Sequence, residues 1–84
     1  MGGQFLVERY VGQADRRDPA AVAKALRRCA RELTREGEPV RYVRSIFLPA
    51  DETCLDLYVA ASAHAVREAT TRAGLSYDRV VTYE

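Results

Sequence analysis

The stretch Tyr42-Val-Arg-Ser-Ile-Phe-Leu-Pro-Ala-Asp-Glu-Thr-Cys-Leu-Asp-Leu-Tyr-Val-Ala60 decides how the rest of the chain is read. Two runs rich in β-branched and aromatic residues flank a short polar break, Pro49-Ala50-Asp51-Glu52, which is the pattern of a β-hairpin. The second run alternates strictly. Thr53, Leu55, Leu57 and Val59 fall on one side, and Cys54, Asp56 and Tyr58 on the other. Alternation of this kind predicts a strand with one covered and one uncovered face, and the more apolar set is expected to meet the core.

Outward from the hairpin, Gln4–Tyr10 predicts a first strand, with Phe5 and Val7 pointing one way and Leu6, Glu8 and Tyr10 the other. A polar loop over Val11–Arg17 precedes Asp18-Pro19, an oxygen acceptor followed by proline at the first helical position. The helix is expected to run to about Glu36. Val22, Leu26, Cys29 and Leu33 form its apolar stripe, and Gly37 and Pro39 stop it. Val40–Leu48 is the second strand and Thr53–Ala60 the third. Ser62 caps a second helix over Ala63–Ala73, with Val66, Ala69 or Thr70, and Ala73 inward. Gly74-Leu75 closes it with a Schellman turn, and Asp78–Tyr83 forms a fourth strand.

The order β-α-β-β-α-β is the split βαβ, a ferredoxin-like α+β fold with a four-stranded antiparallel sheet in the order 4-1-3-2 and both helices on one face. The open face is then expected to carry Leu6, Glu8, Tyr10, Tyr42, Arg44, Ile46, Cys54, Asp56 and Tyr58. That face is too apolar to leave wet, so a homodimer is expected, pairing as a dimeric α/β barrel. The alternative is a lone domain that uses the face for a small-molecule ligand.

Bulk properties fit one small domain over residues 1–84. Hydrophobic residues make up 48% and charged residues 30%, the balance of a packed chain rather than a disordered one. A formal net charge of +1 gives no global field toward nucleic acid or a membrane. Two cysteines, Cys29 and Cys54, are too few for a disulfide scaffold and lie on different elements, so free thiols are expected. No apolar run is long enough to span a bilayer, and no charged segment followed by an apolar one opens the chain. The expected compartment is the cytoplasm.

The hairpin register suggests where chemistry could reside. With the turn at Ala50-Asp51, residue 46 pairs with 54, 44 with 56 and 42 with 58. Arg44 then faces Asp56, and Tyr42 faces Tyr58, with Glu8 on the neighbouring strand. This set is either a ligand pocket lined by Tyr42, Arg44, Cys54, Asp56 and Tyr58, or a cross-strand ion pair that holds register. Cys54 is either a thiol activated by Arg44 or a metal ligand, or else a small buried hydrophobe. Cys54, Glu8 and His64 are the residues that could hold a metal, although a single exposed histidine is a poor start for one. Asp51 and Glu52 read as solvated turn residues, and Lys24, Arg28, Arg31 and Arg35, with Arg27 beside them, as a solvated basic helix face. Open-face tyrosines resemble those of RNA-binding sheets. The third strand, CLDLYVA, lacks their aromatic-glycine signature, so no nucleic-acid partner is expected. No Ser-His-Asp set, phosphate loop, CxxC or HExxH is present.

The segments FLVERY, YVRS, DETC, YVAAS, VREA and AGLSYDRV together resemble the small ferredoxin-like nickel-binding proteins of actinobacteria, which are described as dimers. The resemblance covers nearly the whole chain. It implies nickel or another divalent metal as cofactor. It also implies ligands at three positions: a histidine before the second-strand serine, a cysteine before the third-strand aromatic, and a histidine in the second helix. Arg44, Asp56 and Ala69 stand there instead, and arginine cannot ligate a metal. The resulting expectation is a family branch in which an Arg44–Asp56 ion pair replaces the metal. The competing expectation, by analogy with dimeric α/β-barrel enzymes, is a cofactor-free monooxygenase or isomerase. It would have Glu8 or Asp56 as acid/base and Arg44 stabilising an enolate or carboxylate.

Overall fold

The computed structural model describes residues 2–12 and 17–83. Strand β1 (Gly3–Tyr10) leads to helix α1 (Pro19–Arg35). Strand β2 (Val40–Leu48) follows, then a single 3-10 turn (Pro49–Asp51) and strand β3 (Thr53–Ala60). Helix α2 (Ala63–Arg72) and strand β4 (Arg79–Tyr83) complete the chain. The four strands form one antiparallel sheet in the order β2-β3-β1-β4, as the ferredoxin-like reading requires. Of the loop expected over Val11–Arg17, residues 13–16 lie outside the described residues.

Both helices begin and end as their sequences dictate. The Asp18 carboxylate accepts from the Ala20 N–H, and the Ser62 hydroxyl accepts from the Ala65 N–H. Each helix ends in a Schellman motif. Gly37 (φ 97°) and Gly74 (φ 81°) take the left-handed conformation, which a Cβ would strain. The following N–H groups of Glu38 and Leu75 bond back to the carbonyls of Leu33 and Thr70. Leu26, Cys29, Ala30 and Leu33 of α1, with Ala65, Val66, Ala69 and Thr70 of α2, are the buried helix positions. Leu26, Ala30, Leu33, Ala65, Val66 and Ala69 pack in one core with Phe5, Val7, Val40, Tyr42, Tyr58 and Ala60 of the sheet.

The face assignment of β3 is the reverse of the one expected. Cys54, Asp56, Tyr58 and Ala60 lie under the helices, and Asp56 and Tyr58 are fully buried. Thr53, Leu55, Leu57 and Val59 are the half-buried, open side. The β1–β3 register agrees, since Phe5, Val7 and Arg9 stand opposite Tyr58, Asp56 and Cys54.

The β2–β3 register is also corrected. Tyr42 pairs with Tyr58 as expected, but a bulge between Tyr42 and Arg44 inserts one residue. Arg44 therefore pairs with Leu57, Ser45 with Asp56, Ile46 with Leu55 and Phe47 with Cys54. A bulge switches the side on which every later side chain emerges. Tyr42, Ser45 and Phe47 face the helices, while Arg44, Ile46 and Leu48 face outward. The expected Arg44–Asp56 pair does not exist.

Candidate functional site

The polar residues of the covered face meet at one end of the sheet. Arg9, following Phe5 and Val7 at period two, enters this space from β1, and Cys54 and Asp56 enter from β3. The bulge in β2 brings in Ser45. The Asp56 carboxylate accepts from Arg9 Nε at 2.5 Å through Oδ2, and from Arg9 Nη2 at 3.0 Å through Oδ1. Oδ1 also accepts from the Ser45 hydroxyl at 2.6 Å and from the Cys54 thiol at 3.7 Å. Because the Ser45 proton is committed to Asp56, the Tyr42 hydroxyl donates to Ser45 Oγ, at 2.5 Å. A directed chain thus runs Tyr42 to Ser45 to Asp56.

Arg9 is the missing cation. At 6% exposure it is almost as buried as its fully buried partner Asp56. A buried charge is tolerable only when paired and hydrogen-bonded, and the fork of Arg9 supplies both. Burial works against the guanidinium charge, but the bond and charge of Asp56 outweigh it and raise the Arg9 pKa. Burial, reinforced by the Asp56 charge, pushes the Cys54 thiol up. Arg9 Nη2, donating to Sγ at 3.4 Å, opposes that shift without reversing it. Cys54 is therefore a neutral thiol at pH 7, not an activated one.

Two tyrosines wall the cluster off toward the core. Tyr42 and Tyr58 meet edge to face with centroids 5.7 Å apart. Tyr58 donates to Thr70 Oγ1 at 3.1 Å, since Thr70 gives its own proton to the Val66 carbonyl. Arg27 of α1 lies over the Tyr42 ring, 5.3 Å from its centroid. Burial raises both phenols. On its other side the cluster borders a cavity of about 490 Å³, lined by Arg9, Ser45 and Cys54 at the sheet and by Val11, Val22 and Phe47 among its apolar walls. Arg17 and Glu52 also reach it. Asp56 is not part of its lining.

The residues singled out in the sequence are thus split between two faces. Tyr42, Cys54, Asp56 and Tyr58 do come together, but under the helices. Glu8 and Arg44 lie on the open face, where Glu8 pairs with Arg79 at 3.0 Å. His64 is exposed in the first turn of α2. The three positions implied as metal ligands do not share a site, since Arg44 faces outward and Asp56 and Ala69 are buried inside. Cys54, Glu8 and His64 are likewise dispersed. Arg9 and Ser45 are the members that sequence reading missed. The parity of Phe5, Val7 and Arg9 was a signal for the first; Ser45 depends on a bulge that no glycine marks.

As a centre for a borderline-soft divalent metal, the cluster does not fit. Both Asp56 oxygens are taken by N–H and O–H donors, Cys54 holds its proton, and a guanidinium stands where a ligand would be needed. Among the described residues, no three of His, Cys, Asp and Glu gather as a metal site. No helix among them is long and apolar enough to cross a membrane.

No curated protein and no solved structure matches the chain. One family model does, described as "Nickel responsive protein SCO4226-like", and its match extends over residues 5–82. That span takes in both helices, β2 and β3 whole, and all of β1 and β4 except Gly3, Gln4 and Tyr83, and the chain belongs to this nickel responsive family.

Proposed function

We propose that this protein is a homodimeric member of the nickel responsive family that binds a small molecule, not a metal ion, at the Arg9–Asp56–Cys54 cluster. The observation that carries the reading is the buried bidentate pair of Arg9 and Asp56 beneath a cavity of about 490 Å³. Small-molecule pockets fall within about 300–1,000 Å³ and combine apolar walls with a few placed polar groups. The walls here are Val11, Val22, Phe47 and prolines, and the polar groups are Arg9, Ser45 and Cys54 at the sheet with Arg17 and Glu52.

The acid/base enzyme reading has less support, because Glu8 and Arg44 lie on the face opposite Asp56. The dimer is supported by the open face. Leu6, Ile46, Leu48, Leu55, Leu57, Val59 and Val81 place an apolar surface across all four strands, half-buried or exposed. A second copy is the occupant best matched to it, since a two-fold axis sets one apolar patch against itself, and the Glu8 charge there is already neutralised by Arg79.

A fluorescence titration with N-phenyl-1-naphthylamine, an uncharged apolar dye, tests the cavity. Saturable binding is expected for the native chain and is reduced by filling the cavity with Val22→Phe. Equal binding by both proteins would place the dye elsewhere and remove the support for this site.

A further inference from the structure

We infer that the cavity selects an uncharged, largely apolar molecule carrying a carbonyl oxygen, with that oxygen received by Nη1 of Arg9. This assignment rests on the small-molecule reading above and specifies the ligand class. Arg9 spends Nε on Asp56, and Nη2 on Asp56 and Cys54. The remaining nitrogen, Nη1, has no hydrogen-bond partner among the described residues. Yet no buried side-chain nitrogen or oxygen among those residues lacks a partner. Nη1 is therefore not sealed inside protein. It meets open space, and the space that Arg9 lines is the cavity. A residue that is 6% exposed thus presents N–H donors into a cavity whose walls mix Val11, Val22 and Phe47 with Arg17, Ser45, Glu52 and Cys54.

A molecule that fills the cavity displaces solvent from Nη1, and it must bring an acceptor of its own, because a donor left buried and unpaired costs more than a paired one gains. Charge decides which acceptor. The Arg9 cation is already neutralised by Asp56 at 2.5 Å, and the other charged residues of the lining, Arg17 and Glu52, carry opposite signs. A carboxylate arriving at Nη1 would bring a second anion beside Asp56 and would lose its own hydration on entry. A carbonyl oxygen takes the same hydrogen bonds without either cost. Ser45 adds no competing donor, since its proton is held by Asp56. The apolar walls, Val11, Val22 and Phe47, match the body of such a molecule.

Three probes of nearly one shape separate the possibilities: 2-acetonaphthalene, 2-ethylnaphthalene and 2-naphthoate, titrated into the native protein and followed by amide shifts in NMR. The ketone is expected to bind roughly tenfold or more tightly than the hydrocarbon, shifting Gly12, Ser45 and Cys54, with naphthoate weaker than the ketone. Arg9→Lys keeps a cation for Asp56 but removes the free fork. It is expected to erase the ketone's advantage over the hydrocarbon. Equal affinities for ketone and hydrocarbon in the native protein, or tightest binding by naphthoate, would overturn the carbonyl assignment while leaving a ligand-binding cavity in place. Failure of all three probes to shift the cavity amides would overturn the cavity as a ligand site altogether.

Discussion

Arg9 and Asp56 lie on adjacent central strands, offset diagonally by two residues, and close a bidentate ion pair on the helix side of the sheet. Asp56 stands opposite Val7 in the register, and Arg9 opposite Cys54. The guanidinium reaches diagonally to bring Nε within 2.5 Å of Oδ2 and Nη2 within 3.0 Å of Oδ1. This geometry determines what the chain's polar cluster can do.

Breaking one side of a buried pair strands the other charge. Arg9→Met or Asp56→Leu alone is expected to cost about 3–5 kcal/mol of stability. The double variant Arg9→Met/Asp56→Leu is expected to recover most of it, because no charge is left unpaired. Urea unfolding of the four proteins checks this through the coupling term of the cycle. Additive losses would show that the pair is not coupled.

Ser45 links two buried groups, so its loss is felt twice. In Ser45→Ala the Tyr42 hydroxyl loses its acceptor and Asp56 loses a donor. A loss of about 1–3 kcal/mol is expected by thermal or urea unfolding. In Ser45→Thr the hydroxyl is kept, and most of that stability is expected to remain.

The alkaline limb of stability follows from three acids. Burial is the leading cause that raises Tyr42, Cys54 and Tyr58 above their ordinary values of 10.0, 9.0 and 10.0. A raised folded-state pKa means that the folded protein holds the proton more tightly than the unfolded chain does. The contribution is complete below the unfolded values and is lost as pH rises through the folded ones. The melting temperature is therefore expected to fall above about pH 9 from these groups, with a shallower fall in Tyr42→Phe. Iodoacetamide is expected to modify Cys54 slowly at pH 7. Rapid modification there would contradict the neutral thiol.

The proposed dimer makes a prediction at the centre of the open face. Leu57→Arg sets a second cation directly across from Arg44 on the open face of β3, away from the helix core. Sedimentation equilibrium is expected to show a dimer for the native protein and a folded monomer for the variant. A native monomer at tens of micromolar would contradict the dimer.

Much of the fold was readable because each element carried its own punctuation. Asp18-Pro19, Gly37, Ser62 and Gly74 mark the helix ends within a residue or two, and the 4-1-3-2 order follows from element order. The two faces of β3 were not readable by hydrophobicity. Leu55, Leu57 and Val59 are more apolar than Cys54, Asp56 and Tyr58, so an apolarity rule sends the wrong set inward. The polar set can be buried because Arg9 neutralises Asp56 and Thr70 accepts from Tyr58, both long-range pairings. The site suffered from the same cause and from the bulge after Tyr42. One inserted residue moved Arg44 to the outer face and put Ser45 beside Asp56.

Asp56 belongs to Arg9 and not to a metal. Calorimetric titration with nickel at pH 7.5, with the bound metal counted after dialysis, tests it most directly. No stoichiometric nickel is expected to bind through this cluster, and the native protein, Cys54→Ser and Asp56→Asn are expected to give the same trace. Tight stoichiometric binding by the native protein that either substitution abolishes would contradict it.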